Sequence, residues 1–522
     1  MKTVCILTAG VGSRMGRMGE KMNKALLPLD GKAVLSHLFE RFPSGTHFVI
    51  AVGYLGAQVR DYVRIAHPEL SVDFVEVDRF EGIGSGPGYS LLCCRELLQK
   101  PFYFLSCDTL FGGRIEDDPT DGWLGVSRVP AESSASYCNF HIEDEKIVSI
   151  YDKVFVSGNP YRAFVGLGYI RDYAVFWSGL ETTHLIAGEH QVSNGIAALV
   201  RSGENRVREV DWTDVGSETN YKKLIQEGCA FDFSKTDEFI YFVNGKVVKF
   251  FADPKSVRGR VRRASLNEKV FPKITDVAEQ FYGYKKAPGD TFYSQGTPDL
   301  FAELLEWLHE KLWVPQNVDP LAFQSLCHAF YFDKTHTRLG LYYAKYNQTD
   351  ASSVVNGDVI PTTAEIFDRI PWESLKQGDP VFFHGDLQFD NVLVDVATED
   401  FLLLDWRQDF AGNTEYGDRY YDLAKLYGGI VLNYDYIKKN LMCFREKDGV
   451  VDFDFATRYQ SRRYLSVLES FVERHRLDLR KIKIIVGLIY INMSPLHEAP
   501  FDKLLYSLGR SFLWQELQKP CR

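Results

Sequence analysis

Two clusters in this chain of 522 residues have the residue types and spacing to handle phosphate. The first opens at Leu7-Thr8-Ala9-Gly10-Val11-Gly12-Ser13-Arg14, at the end of an apolar run, and continues to Asn23-Lys24-Ala25-Leu26-Leu27-Pro28. A glycine-rich turn after a strand lets backbone N–H groups approach phosphate oxygens closely, and an arginine adds a bidentate cationic contact. The second is His384-Gly385-Asp386-Leu387-Gln388-Phe389-Asp390-Asn391, followed by Leu402-Leu403-Leu404-Asp405-Trp406. One carboxylate that orients and deprotonates a hydroxyl, with an amide and a second carboxylate to hold Mg²⁺ against ATP phosphates, is the equipment of phosphoryl transfer.

The elements that must position these groups are legible around them. From Lys2 to about Lys223, short apolar runs alternate with helical stretches: Thr3 to Thr8, Ala33 to Phe42, Phe48 to Val52, Ala57 to Ile65, Val72 to Val77, Tyr89 to Leu98 and Phe102 to Ser106. That rhythm predicts βαβ units and a largely parallel sheet, with ligands outside the carboxyl ends of the strands. Gly10 and Asp108 fall at such ends. The pattern changes at 222–237, which places a boundary there: a domain over 1–227 and another over 228–522. Beyond it, Phe239 to Val243 and Val247 to Phe251 flank Asn244-Gly245, a strong hairpin signal. A small β-rich lobe over about 232–296 and a mainly helical lobe over 297–522 make a kinase-like arrangement.

The first cluster resembles the sugar-phosphate nucleotidyltransferase family, an α/β Rossmann-like fold of GT-A type. The resemblance implies that Ala9, Gly10, Gly12 and Ser13 cradle the nucleotide and that Arg14 and Lys24 contact the reacting phosphates. It implies that Ser85 and Gly86, in Gly84-Ser85-Gly86-Pro87-Gly88, receive the base, and that Lys153 contacts the second substrate's phosphate. Asp108 in Cys107-Asp108-Thr109-Leu110 and Asp214 in Trp212-Thr213-Asp214-Val215-Gly216 match its metal aspartates. Cys107 departs from the usual glycine. Two carboxylates on one Mg²⁺ make chemical sense, since nucleotide phosphates complete the octahedron.

The second cluster resembles the aminoglycoside phosphotransferase and choline kinase superfamily, two-lobed α+β proteins with the protein-kinase fold. On that resemblance Asp386 is the base, Asn391 and Asp405 are metal ligands, and Lys249 contacts nucleotide phosphates, with Glu268 as a candidate partner. His384 is read as an orienting residue of the loop. Arg258, Arg260, Arg262 and Arg263 read as a solvated helix face. The segment from Arg407 to Asp418 is longer than its counterpart in choline kinases, which puts choline itself in doubt.

Composition supports a soluble globular protein, with 45% hydrophobic and 25% charged residues. The net charge of −10 offers no general attraction to nucleic acid or an anionic bilayer. Neither a membrane span nor a signal peptide is evident, and nine cysteines without a Cys-x-x-Cys pair read as reduced thiols. A cytoplasmic enzyme acting on small molecules and nucleotides is expected, with a homo-oligomer left open.

The product of a kinase is the nucleophile a nucleotidyltransferase needs. In one reading the kinase phosphorylates choline, ethanolamine or another small alcohol with ATP, and CMP transfer from CTP makes a precursor for capsule or lipopolysaccharide decoration. In the other, a sugar 1-kinase feeds a nucleotide-sugar synthesis. A third, in which one domain is catalytically dead, conflicts with the filling of every expected catalytic position.

Overall fold

The computed structural model describes residues 2–116, 119–182, 184–203, 206–226, 237–395 and 400–520. The boundary expected at 227/228, and most of the joint around it, lie outside the described residues. Two compact units emerge. One holds the described residues of Met1–Glu227, Ser234–Asp253 and Asp276–Gly283, and the other those of Pro254–Thr275 and Tyr284–Arg522.

In the first unit, β1 (Thr3–Leu7), α1 (Val34–Phe39), β2 (His47–Val52), α2 (Gly56–Ala66), β3 (Ser71–Glu76), α3 (Pro87–Cys93) and β4 (Phe102–Ser106) alternate as the sequence predicts. They are followed by β5 (Thr109–Phe111), β6 (Trp123–Ser127), β7 (Cys138–Glu143), β8 (Lys146–Asp152), β9 (Tyr161–Ile170), β10 (Val207–Glu209) and β11 (Trp212–Asp214). The main sheet has nine strands ordered β8-β7-β9-β4-β1-β2-β3, with β6 pairing β9 and β10. The β4-β1-β2-β3 block is parallel. After β3 the chain crosses to the other side of β1, so the topological switch point lies between β1 and β4. The Gly10 turn and Asp108 leave the carboxyl ends of those two strands. Cores form on both faces of the sheet because β1 and β2 are buried on each side: Val4, Ile6 and Ile50 face one, Cys5, Val49 and Ala51 the other.

The predicted hairpin is β12 (Glu238–Val243) and β13 (Lys246–Phe251), turned through Asn244 and Gly245 with φ 50° and 71°. It was expected as part of a kinase small lobe, yet it packs within the first unit. Phe239, Tyr241, Val243, Val248, Phe250 and Phe281 join the core that contains Val4, Met22, Leu26 and Tyr62. Tyr241 donates from Oη to the Leu26 carbonyl at 2.7 Å, and the Phe242 amide donates to Gly31 at 2.6 Å. The alternation along Phe239, Tyr241 and Val243 is the period of a strand with one face covered, and α2 with the 22–33 segment supplies the cover.

The second unit begins with α4 (Pro254–Leu266) and is largely helical, as expected, including α5 (Lys334–Tyr346), α6 (Arg419–Val431), α7 (Leu479–Met493) and α8 (Phe501–Leu517). Between β14 (Ser353–Val355) and β15 (Asp358–Ile360), and between β18 (Met442–Lys447) and β19 (Val450–Phe455), lie two tight turns, and these strands make a four-stranded sheet ordered β15-β14-β19-β18. It departs from the helical expectation. The intervening hairpin, β16 (Val392–Asp395) with β17 (Asp400–Leu403), carries the second cluster at its ends. Among the described residues no helix is long and apolar enough to cross a membrane.

Candidate active sites

All eleven residues singled out for the first cluster line one cavity of about 920 Å³ at the switch point. Ala9, Gly10, Gly12, Ser13, Arg14 and Lys24 come from the turn after β1 and the segment behind it. Ser85, Gly86, Asp108, Lys153 and Asp214 close it from the other sides. The two aspartates, distant in sequence, meet through strand register. β11 pairs with β5 with Asp214 opposite Thr109, and the Val215 amide donates to the Asp108 carbonyl at 3.1 Å. A Cβ on Gly216 would lie 2.6 Å from Asp108 Oδ2, 2.9 Å from Asp214 Oδ1 and 3.1 Å from Arg14 Nη2. A side chain there would displace these groups, and the three charged groups surround one point.

Lys24 Nζ donates to Asp108 Oδ2 at 2.8 Å, with both side chains mostly buried. Burial pushes the Asp108 carboxyl up, but the adjacent ammonium outweighs it and holds the pKa below the usual carboxylate range. Burial likewise opposes the Lys24 charge, and Asp108 more than restores it. Lys24 is placed by Asn23, whose amide donates to the Thr8 and Tyr54 carbonyls at 2.9 and 2.8 Å and whose Oδ1 caps the following turn. Asp214 accepts from Tyr137 Oη at 2.8 Å and from Asn220. Tyr137 and Asn220 escaped the sequence reading because nothing local marks them. Asn23 was visible beside Lys24 as an N-cap residue type.

The Gly84–Gly88 segment runs against His190 backbone to backbone, with His190 N donating to Ser85 O at 2.7 Å and Gly88 N to His190 O at 2.8 Å. Gly86, at φ 121°, could not carry a side chain in this approach. The result is a smooth peptide wall on which a flat ring can lie. Lys153 sits exposed at the rim in the left-handed region, φ 57°.

In the second unit, the register Val392 opposite Leu403 brings Asn391 and Asp405 to the same end of the β16–β17 hairpin. The Leu404 amide donates to Asn391 O, and Asn391 Nδ2 donates to Asp386 O, both at 2.8 Å. Asp386 is ion-paired with Lys425 Nζ at 2.6 Å. Burial raises the Asp386 pKa and Lys425 lowers it by more, so the group stands ionised. Lys249 lies in β13, buried and opposite Ile240, in the first unit. Glu268 is exposed beyond the end of α4.

Two of the four arginines read as solvated are not. Arg263 is fully buried and donates to the carbonyls of Phe383, His384 and Arg407. Arg260 is 6% exposed and donates to Asp405 Oδ1 at 2.8 Å and to Trp406 O. They pin the two halves of the site to α4, and only Arg258 and Arg262 face solvent. A helix of four nearby arginines gives no local sign of which pair is pointed inward.

Asp422, on α6, anchors the loop from beneath. It accepts from the His384 and Gly385 amides at 2.7 Å each and from Trp313 Nε1 at 3.0 Å. His384 is buried; its Nε2 lies 2.8 Å from the Leu404 carbonyl and its Nδ1 accepts from the Asp386 amide. That pattern needs a neutral ring with the proton on Nε2, and burial depresses the pKa to about 4. Since the folded pKa lies below the unfolded value, the contribution to stability is complete above pH ~6.5 and is lost as pH falls toward 4. Unfolding free energy of the wild type is expected to drop by about 3 kcal/mol over that window from this group. Urea titrations at several pH values, with His384→Gln showing a flatter profile, check this.

Among the described residues no cluster of three or more His, Cys, Asp or Glu stands ready for a metal. Each site offers two oxygen-bearing side chains, which suits an ion that takes its remaining ligands from nucleotide phosphates and water.

Residues 4–114 match the family model of the MobA-like NTP transferase domain. Residues 279–434 match that of the phosphotransferase enzyme family. The chain therefore joins a Rossmann-like domain of nucleotidyltransferase type to a kinase-like domain of phosphotransferase type. The chain is similar to the bifunctional protein GlmU of Methanocaldococcus jannaschii, 24% identical over 221 residues, 40% of this chain and 50% of that one. It is also similar to UTP–glucose-1-phosphate uridylyltransferase AglF of Haloferax volcanii, 22% identical over 212 residues, 38% of this chain and 83% of that one. The chain thus spans about half the length of the GlmU relatives it matches. Among solved structures, UDP-glucose pyrophosphorylase complexed with UDP-glucose aligns with a TM-score of 0.37 and 16% identity, covering 43% of this chain and 97% of that one.

Proposed function

We propose that a chain joining these two transferase domains catalyses consecutive steps: ATP-dependent phosphorylation of a small alcohol, then nucleotidyl transfer to the resulting phosphomonoester. The observation that carries this reading is that both constellations are filled in one chain and that the product of one is the nucleophile of the other.

In the second unit Asp386 accepts the hydroxyl proton as the oxygen attacks the γ-phosphorus of ATP, and ADP leaves. Lys425 keeps Asp386 ionised until that moment. Asn391 and Asp405 would hold Mg²⁺. In the first unit Arg14 and Lys24 pair with the triphosphate, Ser85 and Gly86 receive the base, and Lys153 draws the monoester in. A monoester oxygen attacks the α-phosphorus and pyrophosphate leaves, so no protein nucleophile takes part. Asp108 and Asp214 would hold Mg²⁺, which offsets charge at the reacting phosphates when bound. Lys24 must then exchange its bond to Asp108 for one to phosphate.

We take the nucleotide to be CTP, in keeping with the first of the two readings of the sequence, and the product to be a cytoplasmic precursor for surface-glycan decoration. A choline-like cation as acceptor is disfavoured by its setting, because Lys425 pairs with the base and Arg407 and Lys334 add positive charge near Lys425. That observation leaves the sugar 1-kinase reading standing as the second.

Phosphorus NMR of the protein with Mg²⁺, ATP, one of CTP, UTP or GTP, and single alcohols tests the sequence of steps. A phosphomonoester resonance followed by a diphosphate-ester pair and pyrophosphate is the expected course. Failure of every supplied monoester to react with any nucleotide would sink the second step.

A further inference from the structure

Positive charge gathers beside Asp386 on the side formed by α5, α6 and the segment after Asp405. Lys334 Nζ lies 3.9 Å from the centroid of the Phe330 ring and 5.7 Å from that of Tyr421. The Arg407 guanidinium lies 5.2 Å from the same Phe330 ring, with Nε bonded to the Asp409 carbonyl. Arg338, one turn beyond Lys334 on α5, feels the field of Arg407. Lys425, which holds Asp386, feels it too.

Among the described residues Lys334, Arg338 and Arg407 form no ion pair. Of nearby carboxylates, Asp409 offsets part of the charge on Lys334, and Asp386 is already matched by Lys425. Half-buried cations stacked on aromatic faces without counter-ions are costly to hold together, and burial together with Arg407, Arg338 and Lys425 depresses the Lys334 pKa strongly. The other side of the catalytic loop is different in kind: Asp390 lies in the field of Lys438 and Tyr293 in that of Arg458.

We propose that the acceptor of the Asp386 site is an anionic alcohol, carrying a carboxylate or phosphate besides its hydroxyl, and that Lys334, Arg338 and Arg407 bind that anion. This rests on the reading of Asp386 as the base of a kinase. Carboxylate and phosphate are met by the same guanidinium and ammonium geometry, and the aromatic faces of Phe330 and Tyr421 fix the cations in place. A cationic acceptor would be repelled at the same point, and a neutral one would leave the cluster uncompensated.

The test measures ATP turnover by the full chain with alcohols of similar size and different charge: ethanolamine and choline, glycerol and glucose, glycerate and glucuronate, glycerol 3-phosphate. Turnover confined to the anionic group is expected, the carboxylate and phosphate members showing which anion is preferred. Lys334→Gln and Arg338→Gln should each raise the acceptor KM about 30-fold while leaving the KM for ATP unchanged, and Lys334→Arg should restore most of the loss. Equal or better kcat/KM for a neutral or cationic alcohol overturns the proposal, as does a shift in the ATP KM instead, which would assign the cluster to the triphosphate. If no alcohol is phosphorylated, the kinase reading fails by itself, and calorimetry with inorganic sulfate decides the anion site independently. Sulfate binding weakened about tenfold by Lys334→Gln supports it. Absent binding, or binding insensitive to the substitution, overturns it.

Discussion

Asp108→Ala abolishes nucleotidyl transfer to a supplied phosphomonoester and leaves ATP-dependent phosphorylation intact; Asp386→Ala does the reverse. Each loss is expected to reach about 1,000-fold or more, since removing a positioned base or a carboxylate that would hold the metal typically costs 10²–10⁴ in rate. In the first site the substitution strips Lys24 of its 2.8 Å partner and leaves Asp214 facing Arg14 by itself. In the second, alanine would leave Lys425 buried and unmatched, which commonly costs about 3–5 kcal/mol. Asp386→Asn keeps the shape and is the fairer variant, with its melting temperature checked against wild type. Coupled assays for ADP and pyrophosphate on one preparation read both activities. If either substitution leaves its own activity within a few-fold of wild type, that site assignment is wrong.

A chain cut after residue 227 is expected to lose cooperative folding, even though it contains every residue lining the first cavity. The cut removes Phe239, Tyr241, Val243, Val248, Phe250 and Phe281 from a continuous core. At about 1.5–3 kcal/mol for each fully buried large side chain, these six contribute on the order of 10 kcal/mol, as much as the net stability of a typical domain. The exposed face would also release the Leu26 carbonyl from Tyr241, two residues from Lys24. Calorimetry and dye binding on the cut chain are decisive: a sharp transition within a few degrees of that in the full chain would show that the hairpin is dispensable.

Much of the first site was legible because its chemistry is local. A glycine turn at a strand end, a lysine after Asn23, and an aspartate after another strand each announce themselves in a few residues, and the alternating rhythm places two of them at the carboxyl ends of strands. The pairing of Asp108 with Asp214 was legible only as a family pattern; the physical cause is the β5–β11 register, which no local signal encodes. Tyr137, Asn220 and Asp422 were missed as positioning groups for the same reason, since each acts on a residue far away in the chain. The sheet formed by β14, β15, β18 and β19 had a signal that went unread: Asn356-Gly357 and Asp448-Gly449 are both hairpin turns of the kind recognised at Asn244-Gly245.

From sequence alone followed the resemblance to two transferase families, their order along the chain and the candidate residues of each cluster, because phosphate handling demands particular donors and carboxylates at short spacing. Tertiary structure decided where those residues get their support and what surrounds them. Tyr241 counts toward the first unit because α2 and the Leu26 segment cover it. Arg260 and Arg263 are buried pins because α4 turns them toward the backbone of the second site. Lys334 and Arg407 stand near one another because Phe330 brings them together. Burial and net charge at a point are sums over contacts from remote parts of the chain, and only the folded arrangement fixes those sums.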